Sequence, residues 1–136
     1  MTCRNPKLLH LWIFLSLPIV FCTTAAAQPL SATAEELPAE EAGRITALIA
    51  AVERMTDAAF IRNGQPYGAA AAAEFLRRKW RHRELEVRSA NDFIEKVASF
   101  SSMTGKPYLI RFSDGRETPC SIFLRTELST LRKKEQ

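Results

Sequence analysis

The first 27 residues limit how much of this 136-residue chain can build a folded core. Arg4 and Lys7 precede an uncharged apolar stretch at residues 8–22, and small residues lead up to Ala27. This three-part layout is typical of a secretory signal peptide. The apolar stretch is also shorter than the roughly 20 residues that span a bilayer. We therefore predict a signal peptide at residues 1–27, cleavage after Ala27, a periplasmic or secreted location, and no transmembrane segment after cleavage.

The cleaved chain is almost balanced in charge. Loss of Arg4 and Lys7 leaves 17 Lys and Arg against 15 Asp and Glu, so half of the net charge of +4 belongs to the targeting segment. Such a balance does not favour a nucleic-acid partner. The 109 remaining residues are enough for one core that buries roughly 65% of the unfolded surface.

The cysteines restrict covalent cross-links. Cys3 and Cys22 leave with the signal peptide, so Cys120 is the single thiol that remains and no internal disulfide can form. We expect Cys120 to be buried as a small apolar residue. A Cys120-linked dimer or a reactive thiol is the alternative in an oxidising compartment.

Hydrophobic periodicity predicts an α+β fold, a mainly helical single domain at residues 38–134 behind a flexible leader at residues 28–37. Strand-like apolar runs stand before Asn63-Gly64 and at Tyr108–Phe112, and we expect them to form a small two-stranded antiparallel sheet. About four helices are predicted: 38–55, 69–83, one after a Ser89 cap, and one with Thr118 as cap and Pro119 at its first position.

Motifs for cofactors and metals are weak. Thr104–Pro107 is only a fragment of a phosphate-binding loop, because it lacks the upstream glycine and the following Ser or Thr. After cleavage the chain offers one histidine, His82, and one cysteine, whereas a zinc site needs three or four ligands. We expect no cofactor and no metal.

Two polar loops at the predicted strand ends are the candidate binding site. If the two strands pair, both loops lie at one end of the sheet and could line a shallow site. Turn formation alone is the alternative, since Asn-Gly and Gly are what turns require. The candidate ligand- or partner-binding residues are Arg62, Asn63, Tyr67, Ser102, Lys106 and Tyr108.

Two further functions remain open. Ser102 could act as the nucleophile of a cell-envelope hydrolase with Lys106 nearby, although His82 is expected to be a solvated surface histidine. The basic run from Arg77 to Arg88 could bind an anionic surface, with Arg77, Arg78 and Arg81 as its basic surface. Cations at the end of a helix are also favoured by its dipole, which is the structural explanation of this run.

Several ordered segments resemble the domain of unknown function 5329 family, which consists of small secreted bacterial proteins. The resemblance spans about Glu40 to Leu131 and implies a signal peptide and a periplasmic or secreted location, but no activity. Family members commonly have a histidine where this chain has Phe75, and a cysteine near Ala58 and Ala59, so no metal or redox role is carried over. The segments are Phe60–Gly64, Phe75–Lys79, Phe93–Ser99, Ser101–Ser102 and Gly105–Tyr108.

These observations favour a non-enzymatic periplasmic binding or interaction module. Its expected partner is an envelope protein or ligand that the sequence does not identify. An enzymatic function is the less favoured hypothesis, because the polar residues do not form a complete catalytic set.

Overall fold

The computed structural model describes residues 36–136. The predicted signal peptide and most of the predicted leader lie outside the described residues. The predicted α+β class is confirmed: four helices and an antiparallel sheet alternate along the chain.

The four predicted helices are present, with small differences at their ends. Pro119 does not begin the last helix as predicted: it closes a strand, and the helix begins at Cys120. The helices are α1 (Ala39–Glu53), α2 (Ala69–Arg81), α3 (the α-helical turn Ala90–Asp92 continued by the π-helical stretch Phe93–Ala98) and α4 (Cys120–Lys134).

The sheet has four strands, so the prediction of two was wrong. The strands are β1 (Ala59–Arg62), β2 (Gln65–Tyr67), β3 (Leu109–Arg111) and β4 (Glu117–Pro119), in the spatial order β2-β1-β3-β4. The predicted strands β1 and β3 do pair, at the centre, with Phe60 opposite Ile110. The two edge strands were missed because they are short and polar, and each contains a proline. Proline is tolerated at a sheet edge, where its missing N–H faces no partner.

A two-residue turn joins β1 to β2. Asn63 and Gly64 both have positive φ, 53° and 83°, which is the conformation that tight hairpins with the right-handed strand twist require. The predicted Asn-Gly turn is confirmed. Arg62 pairs with Gln65 directly across it, so the last residue of β1 is held in a fixed position.

The core lies between the helices and one face of the sheet. On α1, Ile45, Leu48, Ile49 and Val52 are buried at helical spacing, as predicted. On α2, the small side chains of Ala69, Ala72 and Ala73 are buried, which allows the backbone of α2 to approach α1 closely. Leu76 is buried on the same stripe, and Trp80 packs partly buried against Phe93 of α3.

The cap of α3 is the one predicted from the sequence. The Asp92 backbone N–H donates to Ser89 Oγ at 3.1 Å, and the Asp92 carboxylate accepts from the Arg88 N–H at 3.0 Å. Beyond Asp92 the helix widens to π geometry, and Ser99 Oγ donates to the Ile94 carbonyl at 2.6 Å. The stretch ends close to the loop that leads into β3.

Within residues 36–136, no helix has both the length and the apolar character needed to cross a membrane.

Candidate functional site

The two predicted loops meet. Because β1 and β3 are antiparallel neighbours, the turn after β1 and the loop before β3 lie at the same end of the sheet. Thr104 Oγ1 donates to Asn63 Oδ1 at 2.6 Å across this gap. The loop before β3 is itself closed by backbone hydrogen bonds from Gly105 to Ser101 (2.8 Å) and from Ser101 to Lys106 (2.9 Å).

A cleft between α2 and this end of the sheet has an apolar part, which we call the apolar compartment. It has a volume of about 170 Å³. Its walls come from β1, the edge strand β2, α2, the residue before β3 and the first residue of α4. They are formed by Phe60, Ile61, Arg62, Tyr67, Ala71, Ala72, Phe75, Leu76, Arg78, Tyr108 and Cys120.

The cleft continues into a more open and basic part, which we call the basic compartment. It has a volume of about 390 Å³ and contains no carboxylate among its lining residues. Five of its side chains are basic: Arg62, Arg78, Lys79, His82 and Arg83, and the others are Phe75, Ser101, Ser102, Met103 and Tyr108.

Arg62, Phe75, Arg78 and Tyr108 line both compartments and lie where the two join. The Arg62 guanidinium carbon lies 4.2 Å from the centre of the Phe75 ring, a cation–π contact. Phe75 in turn packs edge-on against Tyr108, with ring centres 5.7 Å apart. Arg62 Nε is buried and has no hydrogen-bond partner within residues 36–136. A buried donor without a partner is costly, so an acceptor that reached this atom would stabilise the structure.

Lys79 joins α2 by hydrogen bonds to the end of α3 and to the residues that lead into β3. Its Nζ donates to the backbone carbonyls of Val97 (2.8 Å) and Phe100 (2.6 Å) and to the Tyr108 hydroxyl (3.2 Å). Burial, together with the positive charges of Arg83 and Arg62, lowers the pKa of Lys79 to about 8. The basic compartment is therefore a region of positive potential.

The structure places the six candidate binding residues in different positions. Arg62 and Tyr108 line both compartments, Tyr67 lines the apolar one and Ser102 the basic one. The remaining two line neither. Asn63 is the contact that joins the loops, and Lys106 lies exposed beside the cleft, with only its backbone in the loop's hydrogen bonds.

Sequence reasoning did not assign Phe75 to the site, and it placed Lys79 within the basic run from Arg77 to Arg88. Both side chains are partly buried on the cleft side of α2. One signal was present: residues four apart share a helix face, so Phe75 and Lys79 had to lie together. Their contact with Arg62 and Tyr108 depends on the packing of α2 against the sheet.

Comparison with known proteins places the chain in a family. The model of the family of unknown function DUF5329 matches residues 39–132, from the first residue of α1 to near the end of α4. The chain belongs to this family. The resemblance inferred from the sequence is thereby confirmed.

The chain is similar in sequence to the uncharacterised protein YfeK of Salmonella typhimurium (strain LT2). It is 41% identical over 70 residues, which cover 52% of this chain and 58% of YfeK. The chain thus aligns with less than two thirds of that relative's length. No solved structure matches the chain significantly.

In this DUF5329 chain, no described hydrogen bond joins Ser102 to a base within residues 36–136. Its Oγ accepts a hydrogen bond from Arg83 Nη2 at 3.4 Å, and a guanidinium cannot accept a proton. His82 lines the same compartment and is exposed, as predicted, and no hydrogen bond joins it to Ser102 among the described contacts. Lys106 lines neither compartment.

The basic residues of α2 do not form one surface. Arg77 pairs with Glu53 of α1 and lies 3.9 Å from Glu74. Arg78 faces the cleft, whereas Arg81 is exposed beside Glu84 and Leu85 in a separate groove. Because these charges point in different directions and are partly neutralised, they attract a flat anionic surface less strongly than a basic run on one face would.

Cys120 is buried, with 2% of its surface exposed, at the floor of the apolar compartment. Burial raises the pKa of its thiol to about 12. Because the thiolate is the reacting species, we expect a disulfide reagent such as 5,5′-dithiobis(2-nitrobenzoate) to label the native protein at pH 8 at least about a hundredfold more slowly than the urea-unfolded protein. Rapid labelling of the native state would contradict the buried position and would instead favour a reactive, accessible Cys120 thiol.

Proposed function

We propose that this chain is a non-enzymatic binding module of the bacterial cell envelope and that the cleft is its binding site. The observation that carries the proposal is that an apolar and a basic compartment share four side chains, Arg62, Phe75, Arg78 and Tyr108. Among them, Arg62 has an Nε without a partner among the described residues. Pockets that hold ligands combine apolar walls with a few polar groups that fix orientation, and the cleft has this composition.

The side chains around the cleft favour binding over catalysis. The lining residues that carry charge are all basic, and no carboxylate lines either compartment. Ser102 is held by a cation rather than by a base. General acid–base chemistry needs a group that can take up a proton within reach of the nucleophile.

The envelope location rests on the sequence of residues 1–27. Its test is fractionation of the native host followed by amino-terminal sequencing. We expect the protein in the periplasmic fraction with Gln28 as its first residue. Recovery from the cytosol with Met1 retained would overturn this part of the proposal.

Binding itself can be tested by thermal unfolding in periplasmic extract of the host. A ligand present at about a hundred times its Kd stabilises the folded state by about 2.7 kcal/mol, which raises the Tm of a domain of this size by several degrees. We expect the extract to raise the Tm of the wild type and of the matched control Arg81→Gln, whose exposed side chain lies outside the cleft. Arg62→Gln should lose the shift.

Equal shifts in Arg62→Gln and wild type would contradict the assignment of the cleft. The two alternatives have their own readouts. Covalent labelling of folded protein at Ser102 by a fluorophosphonate would favour a hydrolase. Salt-sensitive binding to anionic vesicles, lost on replacing Arg77 and Arg81, would favour a surface binder.

A further inference from the structure

We propose that the ligand of the cleft is a small amphipathic oxyanion, a carboxylate or phosphate attached to an apolar group about the size of one aromatic ring. This inference rests on the proposed binding function and specifies its ligand class. It follows from the size of the apolar compartment, from the charge of the basic compartment, and from the position of Arg62 between them.

The volume of the apolar compartment limits the size of the ligand's apolar group. Seven of its lining residues, Phe60, Ile61, Ala71, Ala72, Phe75, Leu76 and Cys120, present carbon or sulfur. Its volume of about 170 Å³ is close to that of an engineered apolar cavity of about 150 Å³ that stays dry and takes up benzene. A six-carbon ring fits such a space, whereas a lipid chain of full length does not.

The basic compartment sets the sign of the head group. Arg78 and Lys79 add to the charge of Arg62, and neither forms a salt bridge with a carboxylate of residues 36–136. Arg83 shares its charge with Glu86 (3.0 Å) and reaches Ser102. A cluster of cations without lining carboxylates favours an anion, and guanidinium groups match the planar geometry of carboxylate and phosphate oxygens.

The position of Arg62 indicates that one ligand carries both the ring and the anionic head group. Its guanidinium is held against the Phe75 ring, and it lines both compartments. A ligand with its ring beside Phe75 therefore brings an attached oxyanion to the Arg62 guanidinium, whose buried Nε has no partner among the described residues. The bond formed there is charge-assisted, so its loss should weaken binding at least about tenfold.

The test is titration of the full mature chain, residues 28–136, by isothermal calorimetry and by backbone amide chemical shifts. Benzoate and phenyl phosphate are the two oxyanion probes. Benzyl alcohol keeps the ring without the charge, and acetate and inorganic phosphate keep the charge without the ring. We expect one of the aryl oxyanions to bind at least about tenfold more tightly than all three partial analogues, with shifts at Arg62, Phe75 and Tyr108; which one it is identifies the head group.

Two pairs of variants separate the contributions. Arg62→Gln should weaken the better aryl oxyanion at least about tenfold, whereas Arg81→Gln should not. Ala71→Leu should fill the apolar compartment and abolish binding, whereas Ala70→Leu, on the exposed neighbouring position of α2 outside the compartment, should not. Native amide spectra of all four variants verify that they fold.

Failure of this inference differs from failure of the binding function. If neither aryl oxyanion binds better than benzyl alcohol, or if Arg62→Gln binds equally well, the ligand class is wrong. An extract-induced Tm shift that still depends on Arg62 would then leave the binding function standing with another ligand. Absence of both signals would overturn both proposals.

Discussion

Replacing Phe93 with alanine is expected to lower the free energy of unfolding by about 3–5 kcal/mol. Phe93 is fully buried in α3, and Trp80 of α2 packs edge-on against it with ring centres 6.0 Å apart. The substitution removes the largest fully buried side chain of the core and leaves a cavity that close-packed neighbours fill only in part. Domains of this size are stable by about 5–15 kcal/mol in total, so the variant should be close to unfolding.

The measurement is urea unfolding followed by circular dichroism at 25 °C, with Phe100→Ala as the matched control. Phe100 is 54% exposed, and its truncation should change the unfolding free energy by about 0.5 kcal/mol or less. Similar losses for the two phenylalanines would show that α3 does not pack in the core as described.

Replacing Lys79 with methionine is the second change with a large expected effect. Methionine keeps the packing volume of the chain but removes all three hydrogen bonds of Nζ. The Val97 carbonyl then loses this partner in a buried part of the π-helical stretch. An unsatisfied buried acceptor costs about 1–3 kcal/mol, so the unfolding free energy should fall by that amount.

The loss should be concentrated around the cleft. Lys79 connects α2 with the end of α3 and with Tyr108, so hydrogen exchange of the Ser101 and Tyr108 amides should become faster in Lys79→Met. Arg78→Met is the control, because Arg78 is the exposed neighbour on α2 and no hydrogen bond of its side chain to residues 36–136 is described. Unchanged stability and exchange in Lys79→Met would mean that water replaces Lys79 without cost.

Helices were the easiest elements to predict. Hydrophobic periodicity predicted α1 and α2, and Ser89 identified the start of α3. These signals are local, because a helix satisfies its own backbone hydrogen bonds. The π geometry at Phe93–Ala98 left no such signal.

The sheet was harder to predict because strand pairing is not local. Strands β1 and β3 had the apolar runs of central strands. The edge strands β2 and β4 had none, and Pro66 and Pro119 argued against them. They are strands because a neighbour supplies hydrogen bonds on one side, which is a property of the folded sheet.

The cleft shows the same difference between local signals in the sequence and contacts that form only in the folded protein. The amino-acid sequence by itself determined the helices, the Asn63–Gly64 turn, and the presence of polar loops after β1 and before β3, since each depends on neighbouring residues. Only the tertiary structure decided that Arg62 stacks on Phe75 and that Lys79 turns inward toward Val97. The physical reason is that contacts between β1, α2 and α3 follow from how these elements pack, and packing depends on side chains that are far apart in the chain.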